Sequence, residues 1–453
     1  MLVILSDLHF SEALSTQIGP YRFNRNLQPE TYQAYFSEVN QLARTNDINK
    51  VDIILAGDIL EISRSSLWLE GSHCPYVNND AVEPGSEIET VILSILDTIR
   101  NENRVFETLT LFKSIQDYFD MDVQVHLILG NHDRLANATP KIREVVREMF
   151  GIRGGSSPLD HYLIKYDEIG KPFCLIRHGQ EYDPGNFSLD LRKIESIPAN
   201  IASSHYGKAC LGDIITCEFG SALPWYFEKE YGVEGIISNE TLLAIYQRLM
   251  EFDDVRPTTA WLAYLFTMPG VGMRQTWQII QPAFLRIINH LRDHEAFRET
   301  LAQSGIINGF LQMVINGFLK VGLFRRKLPF WVVKALMRLV SRSIKLQSQV
   351  TWARKESLVQ DNQLGCQCVV SGHTHFAETA LISGNAGNDR YYLNTGTWRN
   401  VIPATKDFKE FGRLNAITKI AIFLPQEKNE PLTDLNWAFK YMSGVSYGTH
   451  RPI

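Results

Sequence analysis

The chain has 453 residues, which suits one large domain or two ordinary ones. Hydrophobic residues make up 45% and charged residues 21%, an ordinary globular balance that can bury a sizeable core. A formal net charge of −5 argues against wholesale polyanion binding, and six cysteines are too few for a disulfide scaffold.

The opening stretch MLVILSDLHF has no basic segment and no small-residue cleavage site. It reads as a first β-strand and not a signal peptide, so a cytoplasmic location is expected. Residues 30–46 read as helix, and a second β-rich run, VDIILAGD, covers 51–58. The turn-rich tract 64–87 predicts a long loop near a site. Within 88–119, Ile88, Val91, Ile92, Ile95 and Leu96 recur at helical spacing. The run VQVHLILGN (123–131) is a third strand, followed by the helix KIREVVREMF with Thr139-Pro140 as N-cap and first-turn pair. A fourth strand is FCLIRHG (173–179).

Residues 190–355 then break this rhythm and read as an inserted helical subdomain. The strand pattern returns in CQCVVSGHTH (366–375), ETALIS, RYYLNTGTW and AITKIAIFLP. In the first of these, alternation places the Cys366 and Cys368 thiols on one face, as core. Strands alternating with helices predict an α/β layered fold. Its expected divisions are a core in two parts, 1–189 and 356–453, around the insertion at 190–355.

Each strand ends in polar residues: Asp7-x-His9, Gly57-Asp58, Gly130-Asn131-His132-Asp133, His178-Gly179 and Gly372-His373-Thr374-His375. Burying such groups is costly unless they have a use. Carboxylates, imidazoles and one amide, with no thiolate, suit divalent ions from Mg²⁺ through Mn²⁺ and Fe to Zn²⁺. In D-x-H and H-x-H, two side chains one residue apart on extended backbone point the same way and can reach one ion. Open α/β sheets place their sites at such strand ends. A lone histidine there is more often a satisfied polar residue; five such ends in order are not explained that way.

This ordered set resembles the calcineurin-like metallophosphoesterase family, whose pattern is DxH, GD, GNHD/E, H and GHxH. The match covers roughly residues 1–188 and 356–423. The resemblance implies a four-layer α/β fold, a two-sheet β-sandwich flanked by helices, with two divalent ions at the strand ends. Mn²⁺ is the first choice, with Fe, Zn²⁺ and Mg²⁺ as alternatives. Asp7, His9 and His375 would hold one ion, Asp58 would bridge, and Asn131, His178 and His373 would complete the second. His132 would be the general acid or oxyanion stabiliser, oriented by Asp133. Two ions about 3.5–4 Å apart polarise phosphoryl oxygens and acidify a water, and the leaving group then needs a proton. The expected activity is hydrolysis of a phosphodiester or pyrophosphate bond. A nuclease of the same fold, and a non-catalytic metal-binding scaffold, are the alternatives.

Three stretches are similar to the UDP-2,3-diacylglucosamine pyrophosphatase branch: GDILEISRSSLW, RHGQEYDPGN and YLNTGTW. Gln180 and Thr397 stand where that branch usually has Asp. The branch carries a helical lid where residues 190–355 fall, although this insertion is far longer. Thr300 to Lys355 contains no acidic residue. On a helix starting near Pro329, Lys334, Arg338, Arg342 and Lys345 share one face. That face reads as a solvated surface, as a site for an anionic membrane or lipid-like substrate, or as a nucleic-acid contact. The apolar stretch 306–324 carries Asn308, Gln312, Asn316 and Lys320 every four residues, a polar stripe that argues against a transmembrane span.

Overall fold

A computed structural model describes residues 1–13, 17–23, 25–293, 330, 348–361, 365–384, 389–425, 427 and 438–446. The molecule is mixed α/β. Its strands, in chain order, are β1 (Leu2–Leu5), β2 (Gln17–Ile18), β3 (Tyr21–Arg22), β4 (Lys50–Ala56), β5 (Asp122–Ile128), β6 (Tyr162–Tyr166) and β7 (Pro172–Arg177). There follow β8 (Val255–Arg256), β9 (Cys368–Ser371), β10 (Ala377–Ser383), β11 (Arg390–Thr395), β12 (Arg399–Pro403), β13 (Leu414–Phe423) and β14 (Ala438–Ser446). One sheet runs β5-β4-β1-β13-β12-β8, with β14 also on β13. The second runs β10-β11-β9-β7-β6, and β2-β3 is a separate hairpin.

The apolar runs show why the sheets stack. In β1 and β4, Leu2, Ile4, Ile54 and Ala56 pack against Cys174, Ile176, Cys368 and Val370 of the second sheet. The alternate residues Val3, Leu5, Ile53 and Leu55 face the other way, into helices. With both faces buried, these strands read as continuous apolar runs and not as alternating ones. The helices on that outer face are α1 (Pro29–Thr45), α2 (Glu87–Arg100), α3 (Asn103–Lys113) and α4 (Pro140–Phe150). Thr139 caps α4, accepting a hydrogen bond from the Ile142 amide, with Pro140 in the first turn.

Two expectations are corrected. The helical stretch 88–119 is broken: α2 ends at Arg100, and the Glu102 side chain caps a new helix by accepting from the Val105 amide. Cys366 and Cys368 are both buried but in different layers, Cys368 between the sheets and Cys366 on the outer face with Val369 and Tyr392. The strand begins only at Cys368, so alternation does not extend back to Cys366.

The described part of residues 190–355 is largely helical, with Leu223–Tyr231, Glu240–Met250, Trp261–Phe266 and Met273–Asp293 packed in an apolar cluster that also takes in Ile18, Tyr76 and Ile402. It also carries β8, which runs parallel to β12 and adds a strand to the first sheet. Its base is closed where Ile197 pairs with Glu356: the Ile197 amide donates to Lys355 (2.7 Å) and the Ser357 amide to Ile197 (2.8 Å). Arg177 clasps Glu356 there, Nε to Oε1 at 3.0 Å and Nη2 to Oε2 at 3.2 Å, both side chains fully buried. No helix among the described residues is long and apolar enough to cross a membrane. The stretch 306–324 lies outside them.

Candidate metal centre

Strands β1, β4 and β5 are parallel neighbours, as are β7 and β9. Their C-terminal ends bring the polar motifs together. Asp7, His9 and His375 form one cluster of ligand atoms mutually within 4.8 Å, and Asp58, His178 and His373 form another. His375 Nε2 is 3.2 Å from Asp7 Oδ1 and 3.1 Å from His9 Nε2. Asp58 Oδ2 lies between the clusters, 3.1 Å from His178 Nε2 and 3.8 Å from His9 Nε2. His9, Glu61 and His132 form a third such group, and these grouped His, Asp and Glu side chains could hold a metal ion.

Backbone strain is concentrated at the same residues. Asp7, His9, Asp58, His373 and His375 all have positive φ, between 47° and 70°. Left-handed backbone is uncommon for residues with a side chain and clusters where function demands it. Here it turns each strand end so that its side chain faces inward. Glycines leave room for the result. A Cβ on Gly130 would collide with Asp58 Oδ1 and come 2.8 Å from His178 Cδ2, and one on Gly372 would strike Asp7 Oδ2.

Hydrogen bonds orient the rings. His178 Nδ1 donates to the Ala56 carbonyl (3.0 Å), which turns the buried Nε2 toward Asp58 Oδ2. Burial opposes its charge, but the Asp58 and Asp7 carboxylates lift the His178 pKa to about 10. Asn131 Oδ1 is buried and has no hydrogen-bond partner. Other buried atoms among the described residues also lack one, as at Glu218 Oε2 and Ser221 Oγ, but Asn131 stands beside grouped His and Asp side chains, where an ion could satisfy it. Burial holds His9 below the ordinary imidazole range, the raising effect of Glu61 notwithstanding. Burial and the Arg256 guanidinium push His375 well below it. Neutral imidazoles are the ligand-competent form. The Asp58 carboxyl is opposed by burial, but His178 and His132 hold it well below its usual range.

His132 sits beside this cluster, its ring 4.7 Å from that of His9. Its orientation differs from expectation. Asp133 does not reach the His132 ring: it accepts from the backbone amides of Ile59 (2.8 Å), Leu60 (3.4 Å) and Gly130 (2.6 Å), tying two ligand-bearing loops together. Glu61 takes the orienting part, with Oε1 2.6 Å from His132 Nδ1 and Oε2 2.7 Å from His9 Nδ1. Burial alone would lower the His132 pKa, but the Glu61 and Asp58 carboxylates overcome it and lift it to about 10. Glu61 lies in the GDILE stretch three residues after Asp58, yet nothing in that spacing marks it as a bridge between two imidazoles.

Two further residues escaped the sequence reading. Asp183 Oδ2 is 3.1 Å from His373 Nε2, and Arg256 of β8 reaches the His375 ring. The late NTGTW turn is a brace: Thr397 Oγ1 donates to the Asp7 carbonyl (2.8 Å) and Asn394 Nδ2 to that of Gly372 (3.0 Å). Lys334, Arg338 and Arg342 lie outside the described residues. No family model matches the chain, and no curated protein matches it either.

Proposed function

We propose that this protein is a metal-dependent phosphoesterase that hydrolyses a phosphodiester or pyrophosphate bond at the strand-end cluster. The observation that carries the reading is the pair of His/carboxylate groups joined through Asp58, with the Asn131 Oδ1 atom buried and unpartnered beside them. Asp7, His9 and His375 would hold one divalent ion, Asn131, His178 and His373 a second, and Asp58 both. Mn²⁺ suits this oxygen and imidazole set, as do Fe, Zn²⁺ and Mg²⁺. When bound, such ions supply Lewis-acid polarisation of phosphoryl oxygens and a lower pKa for the attacking water.

The chain's own residues do the rest. Glu61 receives the Nδ1 protons of both His9 and His132, so each ring turns its Nε2 to the site. His9 Nε2 offers a lone pair there. His132 Nε2 holds the proton that the leaving oxygen requires, and the neighbouring carboxylates favour its imidazolium form. Asp133 keeps the loops of Asp58 and His132 in register through three backbone amides. The family resemblance supports this reading through the same residues.

Reconstitution with Mn²⁺ followed by elemental analysis and a hydrolysis screen tests it. The screen compares bis-p-nitrophenyl phosphate, nucleotide diphosphate sugars, and single- and double-stranded DNA. More than one ion per chain and turnover of a diester or pyrophosphate are expected. A folded protein that binds no metal sinks the reading. Metal binding without turnover of any substrate leaves the scaffold alternative in its place.

A further inference from the structure

Four buried arginines, Arg25, Arg64, Arg256 and Arg399, meet at the junction of the insertion and the first sheet; two have carboxylate partners, and Arg25 donates to the Met250 carbonyl. Arg64 pairs with Asp253, and Arg399 pairs with Asp254 at 2.5 Å. Arg256 is also buried, at 8% exposure, but makes no ion pair among the described residues. Its Nη1 is occupied by the backbone carbonyls of Asp253 and Val255 (2.9 Å to the latter) and by Thr258 Oγ1 (3.3 Å). Its Nη2 is directed only at the His375 ring, 3.0 Å from Nε2.

Buried charges in proteins are paired or put to use. A guanidinium fixed beside an ion-binding imidazole is a poor neighbour for a second cation. The repulsion changes sign when an anion sits between them, and a guanidinium fork matches phosphoryl oxygens in geometry as well as charge. We propose that Arg256, carried into the site by strand β8 of the insertion, anchors an anionic phosphoryl group of the substrate beside the Asp7, His9 and His375 cluster. This rests on the phosphoesterase reading and extends it, because the insertion then contributes a substrate-contacting residue. The Arg64–Asp253 and Arg399–Asp254 pairs hold the Asp253-Asp254-Val255-Arg256 segment in place, so the guanidinium is presented on fixed backbone.

Calorimetric titration of inorganic phosphate into the Mn²⁺-reconstituted protein tests the assignment. Arg256→Gln is expected to weaken phosphate binding at least about tenfold, the loss of one charge-assisted contact, with metal content unchanged. Arg256→Lys, which keeps the charge without the fork, should fall between. For a diester substrate, Arg256→Gln should raise KM. Unaltered phosphate affinity in Arg256→Gln overturns the proposal, as does a metal loss that accounts for the change. Should Arg256→Gln not fold, Arg256→Lys decides: affinity equal to the native protein overturns the anchor, and weaker binding with metals retained upholds it. Native protein that hydrolyses diesters while both variants bind phosphate normally removes this inference alone. Native protein that binds neither metal nor phosphate removes the phosphoesterase reading with it.

Discussion

The strand-end cluster and the helical insertion are built from the same ingredients, arginines, carboxylates and aromatic rings, and use them differently. At the strand ends, a polar atom is left without a hydrogen-bond partner at Asn131 Oδ1, like charges and imidazoles crowd together, and the backbone is held left-handed at five residues, Asp7, His9, Asp58, His373 and His375. Around the insertion's base, the charges are matched to one another. Arg177 takes Glu356 through two nitrogens, and the Tyr182 hydroxyl donates to the same carboxylate at 2.7 Å. The first arrangement tolerates strain at grouped ligand-type side chains, and the second uses a buried ion pair and hydroxyl to fix geometry. Substitutions in the two regions should therefore fail in different ways: loss of metal or turnover in one, loss of stability or of substrate affinity in the other.

The largest effect is expected at Asp58. Asp58→Ala should remove both ions and abolish hydrolysis, whereas His375→Ala should cost chiefly one ion, as elemental analysis after Mn²⁺ reconstitution would record. Equal losses would mean that Asp58 does not join the clusters. Next comes His132→Ala, expected to lower turnover about 10²–10⁴-fold with metal content near normal. The deficit should shrink for p-nitrophenyl esters, whose leaving group needs little protonation. An equal deficit on good and poor leaving groups would make His132 a phosphate-positioning residue.

Glu61→Gln separates the two parts of the strand-end site. Weakening the shared hydrogen bonds to His9 and His132 should reduce metal affinity about 10–100-fold and remove part of the leaving-group dependence as well. A change in only one of these measurements would show that the carboxylate serves one imidazole alone. In the insertion's base, Glu356→Ala leaves the Arg177 charge buried with only the longer contact to Glu181, at 3.9 Å, to offset it. It should destabilise the fold by about 3–5 kcal/mol in denaturant titration, with the metal stoichiometry of the folded fraction unchanged. Smallest is the triple reversal of Lys334, Arg338 and Arg342 to Glu. It should raise KM for a large anionic substrate, less so at high salt, and leave a small diester unaffected. No change for any substrate at any salt concentration would reduce that acid-free stretch to a solvated surface.

The strand-end region was the more legible of the two in sequence, for a physical reason. A strand buried on both faces is a continuous apolar run, and a cluster of polar residues at its end interrupts that run sharply. Leu127-Ile128-Leu129 before Asn131 shows this directly. The residue types at those ends also restrict the chemistry. What could not be read were pairings set by the fold: Glu61 closing on His9 and His132, Asp133 turning to backbone amides, and Asp183 meeting His373. Each joins segments through directions that spacing does not encode. Local context hid others. The break before α3 depends on a Glu102 cap, and β8 is a two-residue strand, too short to carry any periodicity. Arg256 was hidden with it.

That short strand has a mechanical consequence. A flap that swings open turns about a single line of attachment, usually one pair of adjoining segments. The described part of the insertion is secured along two separated lines, the Ile197–Glu356 closure at its base and the β8–β12 pairing at the sheet edge. Rotation about either line would tear the other. Between these anchors the segment is held at two places, so under the proposed function a substrate would meet it as a wall of the site, and discrimination would fall to shape and charge instead of to closure.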